Sequence, residues 1–397
     1  MAQSLLTPSV ITKESLAILH QKCNFIGNMD RQYDKRFAQS GAKIGNDLQI
    51  RKPNQFVVRT GETIDVQDIS EESVTLTQAT QKGVDFTFTS EELTMHIDDF
   101  KERYLEPAMA VLAANIEADV FNVYKDVWNF YDGVDSADSF ANLTQGMKLL
   151  ADNLSPTGKM CGMLPTQSTV DILADTKGLF NDQSSIKRQY LEGALTHIAG
   201  FDLFQNTITP QHTTGTAVEG DTVYNIDGAN QTGAAITVDA GATTFLVGDI
   251  ITIAGCTRVH PETKVSTGIA HQFVVTANSG ASATSIAISP SIVVTGAKQN
   301  VSASPTDGGA VTKVGGGASA DWQQDLFFHE SAFAFVSADL EDVSKYGAWG
   351  AREVYENISM RIARQYDIVN DKFPCRIDVL YGYKAVRPEL GARVGHN

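Results

Sequence analysis

An abrupt change of composition in the middle of the chain most constrains its fold. Residues 213–320 are rich in Gly, Ala, Ser, Thr and Val, and their charged fraction is about half of the chain-wide 20%. Short runs typical of strands recur there between Gly, Asp, Asn or Pro residues: Ala235–Val238, Ile250–Ile253, Gln272–Thr276 and Ser285–Ile288. We therefore expect an inserted β-barrel or sandwich, with the glycine-rich stretch Lys313–Ser319 as its flexible return linker.

Before this insert, the spacing of apolar residues changes along the chain from every second residue to every third or fourth residue. Apolar residues alternate at Leu48 and Ile50, at Val74 and Leu76, and at Val84, Phe86 and Phe88, which predicts the strands of a long hairpin or extended loop. The polar middle of this region, Arg59–Glu72, is expected to project or to lie on a neighbour. From Leu105 to Val127 the spacing becomes three and four, which predicts a long spine helix with Pro107 near its start.

Mixed helical and strand patterns flank the insert. Ser139–Leu154, Thr166–Asp175 and Tyr190–Ile198 predict helices, and Met160–Leu164 predicts a short buried strand. After residue 320 the mixed helical and strand patterns resume. Strand patterns at Ile358–Ile368 and Cys375–Tyr381 are expected to complete the sheet of the first body. The predicted fold class is therefore α+β, with one body interrupted by an all-β domain.

The N-terminal segment is predicted to be an arm with little core of its own. A short amphipathic helix carries Leu16 and Leu19, and the charged segment Asp30–Arg36 that follows is expected to be solvated or to face a partner. The candidate contacts between subunits are Leu16 and Leu19 in the arm with Phe56 and Val58 in the extended loop. Local packing explains these four side chains equally well.

The sequence contains no recognisable catalytic or metal-binding motif. Gly315-Gly316-Gly317 lacks the Lys-Ser or Lys-Thr of a phosphate loop, and His329-Glu330 is followed at the second histidine position of a zinc motif by Phe333. The other histidines, including His396, lie on different predicted elements, and the four cysteines are far apart, which favours reduced, buried thiols. We therefore predict no catalytic residues, no metal site and no cofactor, so the chain is not expected to be an enzyme.

The charge and hydropathy of the chain limit the kinds of partner that it can bind. The formal net charge of −16 disfavours sequence-specific nucleic-acid binding, which depends on neutralising phosphates, although it suits the wall of a container for DNA. No run reaches the roughly 18 to 20 apolar residues of a membrane span, and the first residues lack a signal-peptide pattern. A soluble protein that stays inside the cell that makes it is expected.

Two stretches resemble the P22-type coat proteins of short-tailed phages. The first runs from Val247 to Cys256 (VGDIITIAGC) and continues at Phe273–Thr276 (FVVT) in the insert. The second is Ile198–Asp202 (IAGFD) together with Ala332–Ala334 (AFA) in the body. The order of arm, extended loop, spine helix, insert and return to the body is more specific than either motif.

The resemblance implies the phage-capsid fold of the HK97 type. Its implied parts are an N-terminal arm (1–40), an extended β-hairpin loop (41–90), the spine helix with the first part of a peripheral/axial body (91–212), an inserted β-barrel-like domain (213–320) and the return to that body (321–397). Some relatives with this fold crosslink subunits through a loop lysine. Lys52 and Lys82 lie in the corresponding region, but we expect non-covalent contacts.

The implied function is that of a major capsid protein that self-assembles as pentamers and hexamers into an icosahedral shell. The implied partners are a scaffolding protein, a portal protein and packaged double-stranded DNA bound without sequence specificity, and a decoration protein is left open. The precursor shell would assemble in the host cytoplasm, expand as DNA enters and become the virion capsid. The main alternative is a tail or surface β-adhesion structural protein, and a hydrolase with an accessory β-domain is a further one.

Overall fold

The computed structural model describes residues 23–31, 47–64, 66–67, 71–89, 106–134, 136–176, 197–222, 224–340, 343–347, 349–355 and 358–396. Leu16 and Leu19 lie outside these residues, as does the start of the predicted spine helix before Glu106. No helix within the described ranges is long and apolar enough to cross a membrane.

The described residues contain four α-helices, which are α1 Asn24–Gly27, α2 Glu106–Val120, α3 Phe140–Asp152 and α4 Thr166–Thr176. The strands in the first part of the chain are β1 Asp47–Arg51, β2 Ser73–Thr77, β3 Thr80–Thr89, β4 Phe130–Asp132, β5 Met160–Leu164, β6 His197–Ile198, β7 Phe201–Gln205 and β8 His212–Thr213. Those of the insert are β9 Tyr224–Asn225, β10 Gly233–Thr237, β11 Ile250–Val259, β12 Ser266–Val275, β13 Ser285–Ile292 and β14 Ala310–Val314. The last are β15 Asp321–His329, β16 Phe333–Ala338, β17 Trp349–Tyr355, β18 Ile358–Arg364, β19 Lys372–Ala385 and β20 Gly391–His396.

The chain divides into two units. Unit 1 takes its described residues from Met1–Ile50, Ser73–Phe121 and Phe333–Val386, and unit 2 takes them from Arg51–Glu72, Asn122–Ala332 and Arg387–Asn397. The domain boundaries given above stay a prediction, because these units follow packing and not the order of domains along the chain.

Unit 1 is built on a five-stranded antiparallel sheet and the spine helix. The long strand β19 pairs with β3 on one edge and with β18 and β16 on the other, and β17 follows β18. The predicted strands of residues 41–90 are confirmed where described, since β1 and β2 pair and bury Leu48, Ile50 and Leu76 together, but β3 pairs with β19 and not with this hairpin. Helix α2 buries the predicted stripe, including Met109 and Ile116.

The α-helical part of the spine ends before its apolar pattern does. The described part of helix α2 is Glu106–Val120 and includes Pro107. The α-helix ends at Val120 and a 3-10 segment, Phe121–Asp126, continues the chain. The apolar spacing of three and four suits both kinds of helix, so the pattern alone does not mark this change.

Asp30, the first residue of the charged segment predicted to be solvated or to face a partner, is buried in unit 1, while Asp34–Arg36 lie outside the described residues. Its backbone N–H donates to Phe333 O and its carbonyl accepts from Phe335 N, and only 8% of the residue is exposed. Just before it, Phe25 stacks on Phe121 with a centroid distance of 4.1 Å. This part of the chain is therefore packed into unit 1, which charge patterning did not indicate.

The body of unit 2 is a mixed sheet covered on one face by two helices. The strand order is β4-β20-β15-β5-β7-β6, with β8 also paired to β15, and the β4–β20 and β5–β7 pairs are parallel. Strand β5 and helices α3 and α4 confirm their predictions within one or two residues, and Ser139 caps α3 by accepting from Asn142 N. Phe327 on β15 lies in the apolar core beneath both helices.

The insert in unit 2 is a closed β-barrel. Its six strands follow the order β10-β13-β12-β11-β14-β9, and an antiparallel bridge between Ile226 and Val238 joins the two ends of this series. The interior is a separate apolar cluster drawn from residues 217–311, with Phe245 and Phe273 among its largest side chains. The predicted barrel or sandwich is therefore confirmed as a barrel.

Three local predictions are wrong where the structure describes them. His197 and Ile198 belong to strand β6, which turns back at Gly200 to pair with β7, and are not the end of a helix. The return linker is not flexible, because Lys313 and Val314 end strand β14 and the Lys313 ammonium is buried, donating to Ala217 O. Strand β18 ends at Arg364, so Ile368 lies in the following turn.

Candidate functional site

The tip of the extended loop, which is the described part of residues 52–72, carries exposed apolar side chains. Phe56 is 61% exposed and Val58 is 90% exposed, and Ile64 and Val66 are exposed as well. The structure thus places both sequence-predicted loop residues two positions apart on the surface. A cluster of exposed apolar side chains on a polar segment is the usual mark of a protein interface.

The loop tip is held in shape although it forms no regular strand. The Gln67 side chain accepts from Val57 N at 2.9 Å and donates back to Val57 O, which links the two sides of the tip. At the base, Lys52 N donates to Glu72 O at 2.8 Å. The Lys298 ammonium of the insert lies 2.7 Å from a Glu72 carboxylate oxygen, and both belong to unit 2. These contacts pre-order the surface that carries Phe56.

A second exposed apolar group lies in the turn between β18 and β19. Ile368 and Val369 are 82% and 84% exposed, and Asp367 organises the turn by accepting from Val369 N and Asn370 Nδ2. The apolar pattern runs through Ile368, so it predicts a strand there and not this exposed group. The Asp-Ile-Val-Asn-Asp sequence, with turn-forming residues at both ends, is the signal that was available.

The barrel is fastened to the sheet of unit 2 by buried or half-buried polar groups. The Gln272 side chain binds both backbone groups of Phe130, accepting from its N–H and donating to its C=O, each at 2.8 Å. The Arg258 guanidinium binds the Asp152 carboxylate at 2.9 Å. Arg393 on β20 is fully buried and donates to Gly248 O at 2.8 Å, and burial lowers its pKa to about 10.

Asp249 makes several hydrogen bonds at this junction between the barrel and the sheet. One carboxylate oxygen binds His212 Nε2 at 3.0 Å, and the other accepts from Gly215 N and Leu246 N. His212 Nδ1 lies 3.2 Å from the Tyr124 hydroxyl. Burial lowers the pKa of His212, although its hydrogen bond to Asp249 opposes that shift. These side chains are scattered over the sequence, which is why local motifs did not reveal them.

Ser168, His396 and Asp325 form a second buried polar cluster, and these are the residue types of a hydrolase triad. Ser168 Oγ lies 2.8 Å from both Asp325 Oδ1, to which it donates, and His396 Nε2. A nucleophilic triad requires the carboxylate behind the imidazole, but here the serine itself donates to the carboxylate. All three residues are buried, so no substrate reaches the hydroxyl in this structure.

Asp138 lies beside this cluster. Burial and the charge of Asp325 raise the pKa of Asp138 to about 8, because both disfavour a second negative charge there. A raised carboxyl pKa is typical of active sites, but it is equally the result of burial. The arrangement gives a structural polar cluster, not a site for a reaction.

The described residues thus contain a loop tip with exposed apolar side chains and a barrel joined to the sheet of unit 2 by buried polar contacts. A family model described as "P22 coat protein - gene protein 5" matches residues 9–395. The chain belongs to the P22 coat protein family. It is a major capsid protein that forms an icosahedral bacteriophage shell, and it is located in the virion.

Solved structures similar to this chain include several from phages. One from Mycobacterium phage Che8 has a TM-score of 0.49 and 12% identity, covering 93% of this chain and 89% of that chain. The bacteriophage PhiM1 mature capsid has a TM-score of 0.46 and 11% identity, covering 89% of this chain and 82% of that chain. The capsid of cyanophage P-SCSP1u has a TM-score of 0.45 and 8% identity, covering 93% and 89%. A search of curated proteins gives no match.

Proposed function

We propose that this coat subunit joins its neighbours through the tip of the extended loop and that it catalyses no chemical step. The observation that carries the proposal is the exposure of Phe56 and Val58 on a segment that its own hydrogen bonds already hold in shape. Pre-ordering lowers the entropy cost of association, so a neighbour that covers these side chains gains most of their burial energy.

The contacts are proposed to be non-covalent and to repeat around pentamers and hexamers. Lys82 supports this view, because its ammonium donates to Asn115 O at 3.0 Å and lies 3.6 Å from Asp119 within unit 1. A lysine engaged in this way is less available for an isopeptide bond. Leu16 and Leu19 remain proposed contacts of the arm, and Ile368 with Val369 join them as exposed apolar candidates.

The assembly pathway that goes with this role begins in the host cytoplasm with a scaffolding protein and a portal protein. The precursor shell then expands as double-stranded DNA enters. The net charge of −16 supports a wall that DNA does not stick to, since like charges repel and no sequence-specific binding is needed.

The test compares the wild type with a Phe56→Ser/Val58→Ser double variant. Covering each side chain fully is worth about 1.5 to 3 kcal/mol, so the concentration required for assembly should rise at least about tenfold in the variant. Size-exclusion chromatography and negative-stain electron microscopy over a concentration series, with and without scaffolding protein, measure this threshold. Val170→Ser is the control, because Val170 is also exposed, at 54%, but lies on α4.

Shells of the wild type and the control at the same threshold, with monomer of the double variant, would support the proposal. Assembly of the double variant at the wild-type threshold would show that the loop tip is not a principal contact. A far-UV circular dichroism spectrum equal to that of the wild type ensures that the variant is folded.

A further inference from the structure

The buried cluster beneath helices α3 and α4 contains more than a hydrogen-bonded serine. Asp325 lies on β15, His396 on β20, Ser168 on α4, and Asp138 directly before α3. Asp325, His396 and Ser168 are completely buried, and Asp138 is 3% exposed. Four elements that are distant in sequence therefore direct polar side chains to one place inside unit 2.

The hydrogen bonds of this cluster do not use all of its acceptors. Ser168 Oγ donates to Asp325 Oδ1, and His396 Nε2 lies 3.3 Å from the same oxygen. Asp325 Oδ2 and Asp138 Oδ2 are buried and receive no hydrogen bond from an N–H or hydroxyl donor within the described ranges, and the two carboxyl groups lie within hydrogen-bonding reach of each other. Buried carboxylate oxygens without partners are rare in proteins, and each one indicates a missing proton, water molecule or ion.

The distances between these groups suit a shared cation. One oxygen from each aspartate and one ring nitrogen of His396 all lie within 4.8 Å of one another. Ligand atoms around an ion with bonds of about 2.0 to 2.2 Å lie at most about 4.4 Å apart, so binding would require these side chains to move slightly closer together. A divalent cation bound here would compensate the two negative charges that burial otherwise disfavours.

We propose that Asp138, Asp325 and His396 bind one divalent cation of the zinc or manganese class at the edge of the core of unit 2. An imidazole among the ligands favours these ions over Mg²⁺ and Ca²⁺, which prefer oxygen alone. Ser168 would orient Asp325 through its hydrogen bond, as outer partners of metal ligands do.

Such an ion would have a structural role. It would join the start of α3, strand β15 and the end of β20, while the buried Ser168 of α4 supports it from outside the ligand set. The cluster would then fix the C-terminal strand to the body of the subunit, and removal of the ion would loosen that strand first.

The experiment uses the full-length chain without a histidine tag, after dialysis against a chelator. Calorimetric titration with ZnCl₂, MnCl₂ and MgCl₂, together with thermal unfolding at each ion concentration, measures binding. We expect one Zn²⁺ or Mn²⁺ per chain and a rise in melting temperature with either ion, and no comparable effect of Mg²⁺. Asp138→Asn should weaken binding at least tenfold and remove the rise, and His396→Gln should do the same.

Asp202→Asn is the matched control, because Asp202 also pairs with a histidine, His197, at 2.9 Å but lies on the surface. This variant should bind the ion like the wild type. The proposal is overturned if the wild type shows no stoichiometric binding, or if Asp138→Asn leaves the binding unchanged. Asp138→Asn that is as stable as the ion-free wild type, without binding in either, would assign the cluster to a shared proton instead.

Discussion

His271 should make the inserted barrel sensitive to acid. It lies on β12 with 5% exposure, and its ring lies 4.7 Å from that of Phe273 in the barrel core. Burial, reinforced by the positive charge of Arg258, lowers the pKa of His271 to about 4 from an ordinary value of 6.5. Between about pH 4 and pH 6.5, the His271 imidazole is therefore neutral in the folded chain but protonated in the unfolded chain.

The effect on stability follows from this difference in pKa. Above pH 6.5 both states carry a neutral imidazole and there is no contribution. As the pH falls below 6.5 the unfolded state gains the proton first, so the folded state loses about 2 kcal/mol of relative stability at pH 5. The loss approaches about 3 kcal/mol below pH 4, where the folded state is protonated too.

Urea unfolding of the wild type and of His271→Gln, at pH 7.5 and at pH 5, measures how much stability the chain loses through His271 on acidification. Glutamine stays neutral throughout, so its own cost is the same at both pH values, and the variant should lose about 2 kcal/mol less than the wild type on acidification. His260→Gln, which removes a partly exposed histidine from the turn between the same two strands, separates burial from the mere loss of an imidazole. Equal acid sensitivity of His271→Gln and the wild type would refute the argument.

Two further predictions concern the joint between barrel and sheet and the thiols. Gln272→Leu removes both 2.8 Å hydrogen bonds to Phe130 and should lower the free energy of unfolding by about 2 to 3 kcal/mol, and an unchanged urea midpoint would contradict this. The four cysteines are buried and free, and burial raises their thiol pKa values to about 11 or 12. A thiol reagent at pH 8 should label none before denaturation and four after it, so rapid labelling of the native chain would show the packing to be wrong.

Elements with a strong local pattern could be predicted from the sequence. Met160–Leu164 is a short apolar run between turn residues, and strand β5 has the same bounds. Ser139 marked the start of α3 because its hydroxyl can accept from Asn142 N. The change in composition at residue 213 indicated the barrel, whose core is formed largely by Ile and Val side chains.

Features that depend on distant partners could not be predicted. Lys313 is in a glycine-rich stretch that looks like a linker, yet its ammonium is buried against the Ala217 carbonyl. Asp30 is in a charged run but joins a bridge to Ala334, about three quarters of the chain away. Asp138 and His396 are also distant in sequence, so only the register of the sheet and the placement of α3 bring them together.

The joint between barrel and sheet shows why polar groups suit a shell subunit. The barrel has its own apolar core, and a second apolar cluster that includes Phe130, Ile250 and Trp322 lies at the joint. Apolar contact alone tolerates rotation and sliding, because it has no preferred direction. Gln272 and Arg393 require particular backbone partners, so any other orientation of the barrel leaves buried donors and acceptors unpaired. We infer that these polar contacts set the orientation of the barrel while the apolar cluster supplies most of the stability, and a repeating shell requires such an orientation to be the same in every copy.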